Sequence, residues 1–172
     1  SLVECLDEIK TDLKDMVDET ELRLQRLEDW AVRAEDRQRK RNFKVVGFSE
    51  EIQGKDIIPE LLSILSANDI GTITEEEIER AHRELKPRTK ENACPSDVIV
   101  ALCKEKLMEQ LLKDMRKKGP LNHKGATLRF VPDFSWETTK KRQEMRTFTK
   151  EWSKANCRFS WIYPATISLQ EQ

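Results

Sequence analysis

The chain is poor in the residue types on which catalytic and metal sites depend. It contains two histidines and four cysteines, and neither type is spaced as in a metal site. Its five glycines are dispersed, so there is no glycine-rich phosphate loop, and a G-x-S-x-G motif is absent. We therefore expect no catalytic residue, no bound metal and no cofactor, and an enzyme is the least favoured class of protein.

Long apolar runs and paired cysteines are absent too. No stretch approaches the ~18 apolar residues of a membrane-spanning helix. Cys5, Cys94, Cys103 and Cys157 are scattered, which is typical of reduced thiols inside a cell. We expect no membrane partner and a cytoplasmic location, with a nuclear location left open.

Charge is divided unequally along the chain, although the whole molecule has a net charge of only −1. Residues 1–36 contain 5 basic and 12 acidic side chains, which gives a net charge of −7. Residues 37–172 contain 26 basic and 20 acidic side chains, which gives +6. This asymmetry indicates an acidic first segment and a basic remainder that binds a polyanion.

The first segment, residues 1–38, is predicted to be a coiled-coil stalk. It has no glycine or proline between residues 2 and 36. A seven-residue repeat favours a left-handed coiled coil, and one copy has too little apolar surface to persist alone, so we expect oligomers. The alternative is one amphipathic helix packed on its own domain. Two heptad registers can use the repeating row, which is Leu6, Leu13, Thr20, Leu27 and Ala34.

The stalk also contains a motif that bears on the number of chains. Residues 23–28, RLQRLE, fill the pattern R-h-x-x-h-E (h is apolar), which resembles a known trimerisation motif of short parallel coiled coils. In one register Arg23 is at g and Glu28 at the following e position, so the two can meet across neighbouring chains. The alternative is an ordinary surface charge pair. The predicted trimerisation residues are Arg23, Leu24, Leu27 and Glu28.

Residues 39–132 are predicted to form a ferredoxin-like βαββαβ domain within an overall α+β fold. NFKVVGF is a strand followed by a helix that Asp56 can cap, and DVIVALC is a strand followed by a second helix. HKGATLRFV gives a turn and the last strand. In the middle, Thr74 and Glu77 form a capping box, so we predict one helical turn there and then a strand around Ile78 to Arg83.

This domain departs from the usual RNA-recognition module, whose third strand stacks bases on aromatic residues. DVIVALC has no aromatic residue, and Lys44 lies where the first strand would expose one. RNA binding by this sheet is therefore expected to depend on charge more than on stacking. The alternative is a fold of this type that binds protein or no ligand.

Residues 133–172 are predicted to form a small α/β C-terminal domain that binds nucleic acid. Ser135 caps a single basic helix, and CRFSWIYPATISL gives two short strands. The basic side chains of the helix can bind phosphates, and the rings of Phe159, Trp161 and Tyr163 can stack on bases. This combination is typical of proteins that bind single-stranded nucleic acid. The alternative is that these rings form a small core.

Six stretches carry a resemblance that covers nearly the whole chain: RLQRLE, NFKVVGF, IERAHR, RKKG, FVPDFS and YPATIS. The sequence resembles the first-open-reading-frame protein of LINE-type (long interspersed) retrotransposons. The resemblance implies a trimeric coiled coil, a non-standard RNA-recognition domain and a small C-terminal domain. It also implies binding of single-stranded RNA and DNA, coating of the element's RNA in a ribonucleoprotein, and nucleic-acid chaperone activity.

The resemblance also implies roles for particular residues. Arg116 and Lys117 match the family's basic residues before a helix-ending glycine. Arg142 matches the first of an arginine pair, and Tyr163 matches the tyrosine of a Y-P-A motif. Three positions depart from the family pattern, which has a basic residue there: Ala101, Gln143 and Thr166.

The preferred function is a homotrimeric, sequence-tolerant single-stranded RNA- and DNA-binding chaperone that packages retrotransposon RNA. The alternative is a coiled-coil structural adaptor whose globular part binds protein. The predicted nucleic-acid-binding residues are Arg39, Lys40, Arg41, Lys44, Arg80, Arg83, Arg116, Lys117, Lys118, Lys141, Arg142, Arg146 and Tyr163.

Overall fold

The computed structural model describes residues 1–71, 73–85 and 94–169. The chain divides into two compact units, which are described separately. The helical unit comprises residues 1–37 together with residues 135–172, and the sheet unit comprises residues 38–134. The three-domain division drawn from the sequence remains a prediction.

The helical unit begins with one long helix and ends with two short helices and a hairpin. The long helix is α1 (Leu2–Gln38), and its uninterrupted length agrees with the absence of glycine and proline. The sequence predicted a single helix after Ser135, but the structure has two, which meet at Met145. The Ser135 side chain does cap the first of them, because its hydroxyl accepts a hydrogen bond from the Thr138 backbone N–H. The remaining elements are α4 (Trp136–Glu144), α5 (Arg146–Lys154), β6 (Phe159–Ile162) and β7 (Thr166–Leu169).

The sheet unit contains an antiparallel five-stranded sheet and two helices. The predicted sequence of strand, helix, strand, strand, helix, strand is present, and the uncertain element is a strand over Ile78–Arg83, as predicted. The capping box of Thr74 and Glu77 is formed and precedes a 3-10 turn at Glu75–Glu77. A short extra strand, β4, was not predicted. The elements are β1 (Asn42–Val46), α2 (Ile57–Ala67), β2 (Ile78–Arg83), β3 (Val98–Leu102), α3 (Glu105–Lys118), β4 (Leu121–His123) and β5 (Ala126–Pro132).

The strand order in this sheet is β2-β3-β1-β5-β4, with every neighbouring pair antiparallel. Since side chains alternate between the two faces of a strand, one face is apolar and buried under the helices. Phe43 and Val45 of β1 are fully buried there, and Phe43 stacks on Phe130 of β5 with 5.8 Å between ring centroids. Further members of this core are Leu61, Ile64, Val98, Val100, Leu102, Leu111, Met115 and Leu128.

One glycine is required by the close approach of two strands. Gly47 follows β1 with a φ of +88°, which favours glycine. A Cβ atom at this position would lie 2.5 Å from the carbonyl oxygen of Thr127, which is too close for any side chain. Gly47 therefore lets the chain turn away from β1 directly beside β5.

Candidate nucleic-acid interface

The second face of the sheet carries most of the polar side chains of the strands. Cross-strand pairing places Lys44 opposite Ile99 and Val131, and residues directly opposite each other share a face. Arg129 pairs with Val46 and so lies on this face too. We call it the open face of the sheet; among the strand residues described, it also includes Arg80, His82 and Ala101.

Lys44 is held in a cluster of charges around a buried carboxylate. Its ammonium lies 3.0 Å from Glu84 Oε1 and 3.5 Å from Asp133 Oδ1. The side chain of Asp133 is 1% exposed, and Arg39 also pairs with it at 3.1 Å. Asn42 Nδ2 donates to the same carboxylate at 3.4 Å. The positive charges of Lys44 and Arg39 are thus used to stabilise a buried anion within the fold.

Arg83 is also occupied within the sheet unit. Its guanidinium donates to the backbone carbonyl oxygens of Phe48 at 3.2 Å, Ser96 at 2.8 Å and Ile52 at 2.8 Å, and to that of Ser49. Its side chain is 13% exposed. Arg83 therefore ties together loops around β2, and little of its hydrogen-bonding capacity is left for a phosphate.

Three other predicted cations are exposed but take part in surface ion pairs. Lys40 lies 3.4 Å from Glu105, and Arg41 lies 3.3 Å from Glu79. Lys118 lies 3.6 Å from Asp69 and also donates to the carbonyl oxygen of Asn68. Exposed pairs of this kind are worth only ~0–1 kcal/mol, so a phosphate can replace the carboxylate at small cost.

A second group of cations has no acidic partner among the described residues. Arg80 on β2 and Arg116 and Lys117 in the last turn of α3 are exposed, and no ion pair or hydrogen bond of their side chains occurs in the described chain. Arg129 on β5 has the same properties, although it was not among the residues predicted from the sequence to bind nucleic acid. The alternation of ATLRFVP could have indicated it, since Leu128 and Phe130 point inward and Arg129 points outward.

Arg142 is positioned by the hairpin in the helical unit. Its Nε donates to the carbonyl oxygen of Pro164 at 2.7 Å, and its guanidinium carbon lies 5.1 Å from the centroid of the Trp161 ring. Such a cation–π contact holds a guanidinium flat against an aromatic surface. Lys141 and Arg146, the other predicted cations of this unit, are exposed.

Tyr163 is bound by its hydroxyl to the end of α1. The hydroxyl donates to Asp36 Oδ2 at 2.9 Å, while 45% of the residue stays exposed. Asp36 also accepts from the Ser135 backbone N–H at 2.6 Å and from the Thr138 hydroxyl at 2.5 Å. Tyr163 therefore has a partly exposed ring whose hydroxyl is fixed by a hydrogen bond, so it is neither a buried core residue nor an unrestrained surface side chain.

The same hydrogen bonds set the ionisation of this pair. Burial raises the pKa of Asp36, but the hydrogen bonds from Thr138, Ser135 and Tyr163 favour the carboxylate more strongly and hold its pKa below its ordinary value. Burial raises the pKa of Tyr163, and its hydrogen bond to the Asp36 carboxylate raises it further. At neutral pH the pair is a phenol donating to a carboxylate.

The C-terminal aromatic residues occupy different environments. Phe159 and Trp161 are half-buried, and Phe159 packs edge-on against Trp152 with 6.3 Å between centroids. Trp136, which was not among the predicted site residues, is 68% exposed and has the Lys140 ammonium 5.1 Å from its ring centroid. The sequence contains a signal for this contact, because residues four apart on a helix are neighbours and Trp136 precedes Lys140 by four positions at the start of α4.

The four predicted trimerisation residues all lie on α1. Leu24 and Leu27 are 55% and 63% exposed in the single chain. Arg23 lies 4.0 Å from Glu19 of the same helix, one turn earlier. The helix therefore presents an uncovered apolar row with charges beside it.

The described residues contain neither a membrane-spanning helix nor a cluster of metal-binding side chains. No helix in residues 1–71, 73–85 and 94–169 is long and apolar enough to cross a membrane. In the same residues no group of three or more His, Cys, Asp or Glu side chains could hold a metal ion.

Comparison with known proteins gives one partial similarity. The chain is 34% identical over 61 residues to the LINE-1 retrotransposable element ORF1 protein of Mus musculus. The matched stretch covers 36% of this chain and 17% of the mouse protein. No protein-family model matches the chain. The chain is thus distantly similar to a LINE ORF1 protein over about a third of its length.

Proposed function

We propose that this chain is a homotrimeric, sequence-tolerant protein that binds single-stranded RNA and DNA, packages retrotransposon RNA as a nucleic-acid chaperone and has no catalytic activity. The observation that carries the proposal is that four cations of the sheet unit, Arg80, Arg116, Lys117 and Arg129, are exposed and have no acidic partner in the described chain. Cations that the fold does not neutralise are available for phosphates. The partial similarity to a retrotransposon ORF1 protein supports the same function.

The sheet supports binding by charge in particular. In its strand order β2-β3-β1-β5 it agrees with an RNA-recognition fold, but the open face has Ile99, Ala101 and Lys44 at the positions where such a fold stacks bases. Contacts to phosphates carry no sequence information. Binding that depends mainly on them is therefore tolerant of sequence.

A trimer would multiply these contacts. Three tethered copies of a weak site bind one strand with an effective concentration set by the tether, and no new contact is needed. The exposed apolar row of α1 is the surface that we propose to be covered in the trimer. Avidity combined with weak individual contacts is suited to a chaperone, since each strand segment can still exchange.

Salt dependence tests this function directly. We expect log K for a labelled oligouridylate to fall linearly with log salt, by ~0.7 for each phosphate neutralised, and an unrelated unstructured RNA to behave in the same way. Arg116→Ala should weaken both RNAs and reduce the slope by ~0.7. Lys106→Ala is the matched control, because Lys106 is an exposed cation at the other end of α3, ~15 Å away by helix rise.

One result would contradict the proposed function, and another would contradict the position assigned to the phosphate contact. Salt-independent binding, or no binding to single strands, would favour the adaptor that binds protein. Equal losses for Arg116→Ala and Lys106→Ala would show that the total charge matters and that the position at the end of α3 does not.

A further inference from the structure

A cleft of about 240 Å³ lies in the sheet unit where α3 ends. Its lining has an apolar part, formed mainly by Met115, Pro120, Val131 and Pro132, and a charged part, formed by Arg116 and Arg129. Among the described residues that line it, none is acidic. The cleft therefore combines an apolar floor with two guanidinium groups.

One border of the cleft is an unpaired strand edge. The pairing of β4 with β5 ends at Leu128, whereas β1 pairs with β5 as far as Pro132. Over Arg129–Pro132, no strand in the described chain pairs with the outer edge of β5. Backbone N–H and C=O groups on such an edge are free to bond a ligand.

The two arginines keep their charge available. Neither Arg116 nor Arg129 forms an ion pair or a side-chain hydrogen bond among the residues that the structure describes, and both are exposed. They come from different elements, α3 and β5, and meet only in the folded sheet unit. Each guanidinium is planar, so it can bind a phosphate through two donors or lie flat against a ring.

We propose that this cleft binds one unpaired nucleobase of single-stranded RNA and that Arg116 and Arg129 bind its flanking phosphates. The apolar floor suits the faces of a base, the unpaired backbone edge suits its polar rim, and guanidinium groups stack on bases and bind phosphates. The proposal rests on the proposed function and adds to it a place for the base and a new contact residue, Arg129.

The size of the cleft makes it selective for single strands. The cleft, at about 240 Å³, is smaller than common ligand pockets of ~300–1,000 Å³, so it has room for one ring system and little more. A base paired in a duplex is stacked on both faces and cannot enter unless it is extruded from the duplex, which costs free energy. A peptide added as a strand to the β5 edge would bond the same backbone groups. Its binding would not involve the two guanidinium groups, so their presence favours a ligand with phosphates.

The test uses the full chain and an oligouridylate that contains one photoreactive 4-thiouridine. Irradiation should cross-link the base to residues 115–120 or 129–132, as located by mass spectrometry. Arg129→Ala should weaken binding by about tenfold, which is within the range for one good contact, and reduce the salt slope by ~0.7. Arg129→Lys should keep the slope and lose part of the affinity, because an ammonium cannot stack as a guanidinium can.

A second variant tests the apolar floor. Val131→Asp places a carboxylate where the base would lie, and it should abolish the cross-link in this segment while the melting temperature stays within a few degrees. Val131 is 36% exposed, so the aspartate can be solvated. If the cleft instead binds a peptide as an added strand, Arg129→Ala should leave peptide binding unchanged, because the peptide would pair with the backbone of β5.

The outcomes separate this inference from the proposed function. Suppose that the wild type binds RNA and that Arg116→Ala weakens this binding while Arg129→Ala does not. The cleft is then not the base site, but the proposed function stands. If the cross-links map outside residues 115–120 and 129–132, the inference is wrong as well. If the wild type fails to bind single strands, both fall together.

Discussion

At the scale of single residues, one buried carboxylate organises the helical unit. Asp36 is 4% exposed and receives hydrogen bonds from Ser135, Thr138 and Tyr163. Ser135 at the same time caps α4. The C-terminal segment is thus fixed to the end of α1 by polar contacts to one side chain. Replacing Asp36 would leave all three donor groups without their acceptor.

The hydroxyl of Tyr163 can be tested apart from its ring. Tyr163→Phe removes one hydrogen bond to a charged acceptor and should cost about 1 kcal/mol of stability, toward the low end for such bonds because the residue is partly exposed. The ring remains, so RNA affinity of the folded variant should stay close to wild type if the ring stacks on a base. Tyr163→Ala should then lose ~1–3 kcal/mol of binding. Melting and affinity are to be measured on the same samples; unchanged affinity in folded Tyr163→Ala would rule out stacking.

The pKa of Asp36 predicts how stability depends on pH. Because its pKa is lower in the folded state, its contribution is complete above the ordinary carboxyl pKa of ~3.9 and is lost as the pH falls through the lowered value. Asp36→Asn should lower the melting temperature at pH 7, and this difference from wild type should shrink between about pH 5 and about pH 3. The pKa of Glu60 is also lowered, by hydrogen bonds from Lys124 and His123. Its contribution to the pH dependence of stability is the same in the wild type and in Asp36→Asn, so it cancels in the difference. A difference that is constant over this range would contradict a lowered pKa of Asp36 in the folded state.

At the scale of elements, the strands and helices of the sheet unit carry two kinds of cation: some stabilise the fold, and others have no acidic partner in the described chain. Lys44 on β1 stabilises the buried Asp133 carboxylate, whereas Arg116 on α3 has no acidic partner in the described chain. The sequence alone puts both in the same class, because each is a basic residue predicted to bind nucleic acid. Only the packing decides which charge is neutralised.

This division predicts opposite effects for two charge removals. Lys44→Ala should lower the melting temperature and leave RNA affinity nearly unchanged, because it takes away a partner of a buried anion. Arg116→Ala should lower affinity and leave the melting temperature nearly unchanged. Thermal denaturation and anisotropy titrations at one salt concentration check both. A folded Lys44→Ala that loses as much affinity as Arg116→Ala would place Lys44 among the phosphate contacts.

The element scale also shows where prediction from sequence succeeds. The capping box at Thr74 and the β-branched run of β3 are local signals, and the structure has a turn, β2 and β3 there. The break at Met145 and the three-residue strand β4 have no strong local signal in the sequence. Asp36 was missed for the same reason, since one aspartate in an acidic helix looks like the others until Thr138 and Tyr163 are placed beside it.

At the scale of the whole molecule, α1 leaves apolar surface that a single chain does not cover. Leucines at 55% and 63% exposure in the middle of a long helix are costly for a monomer in water. A coiled coil covers such a row by packing each side chain between residues of a partner helix. We therefore expect a parallel homotrimer. Sedimentation equilibrium at micromolar concentration should give three times the chain mass of 20.2 kDa, and a monomer or a dimer would contradict this.

The charged residues beside that row supply the last prediction. In the single chain Arg23 is 4.0 Å from Glu19, a weak exposed contact that leaves it free to bond Glu28 of a neighbouring chain. Arg23→Ala and Glu28→Ala should each weaken the trimer, measured as the concentration at which it dissociates. If the two residues bond across the interface, the double variant should lose less than the sum of the single losses. Glu19→Ala is the control, since it should leave the trimer unchanged or slightly stronger. Strictly additive losses for Arg23 and Glu28 would show that the motif residues do not pair.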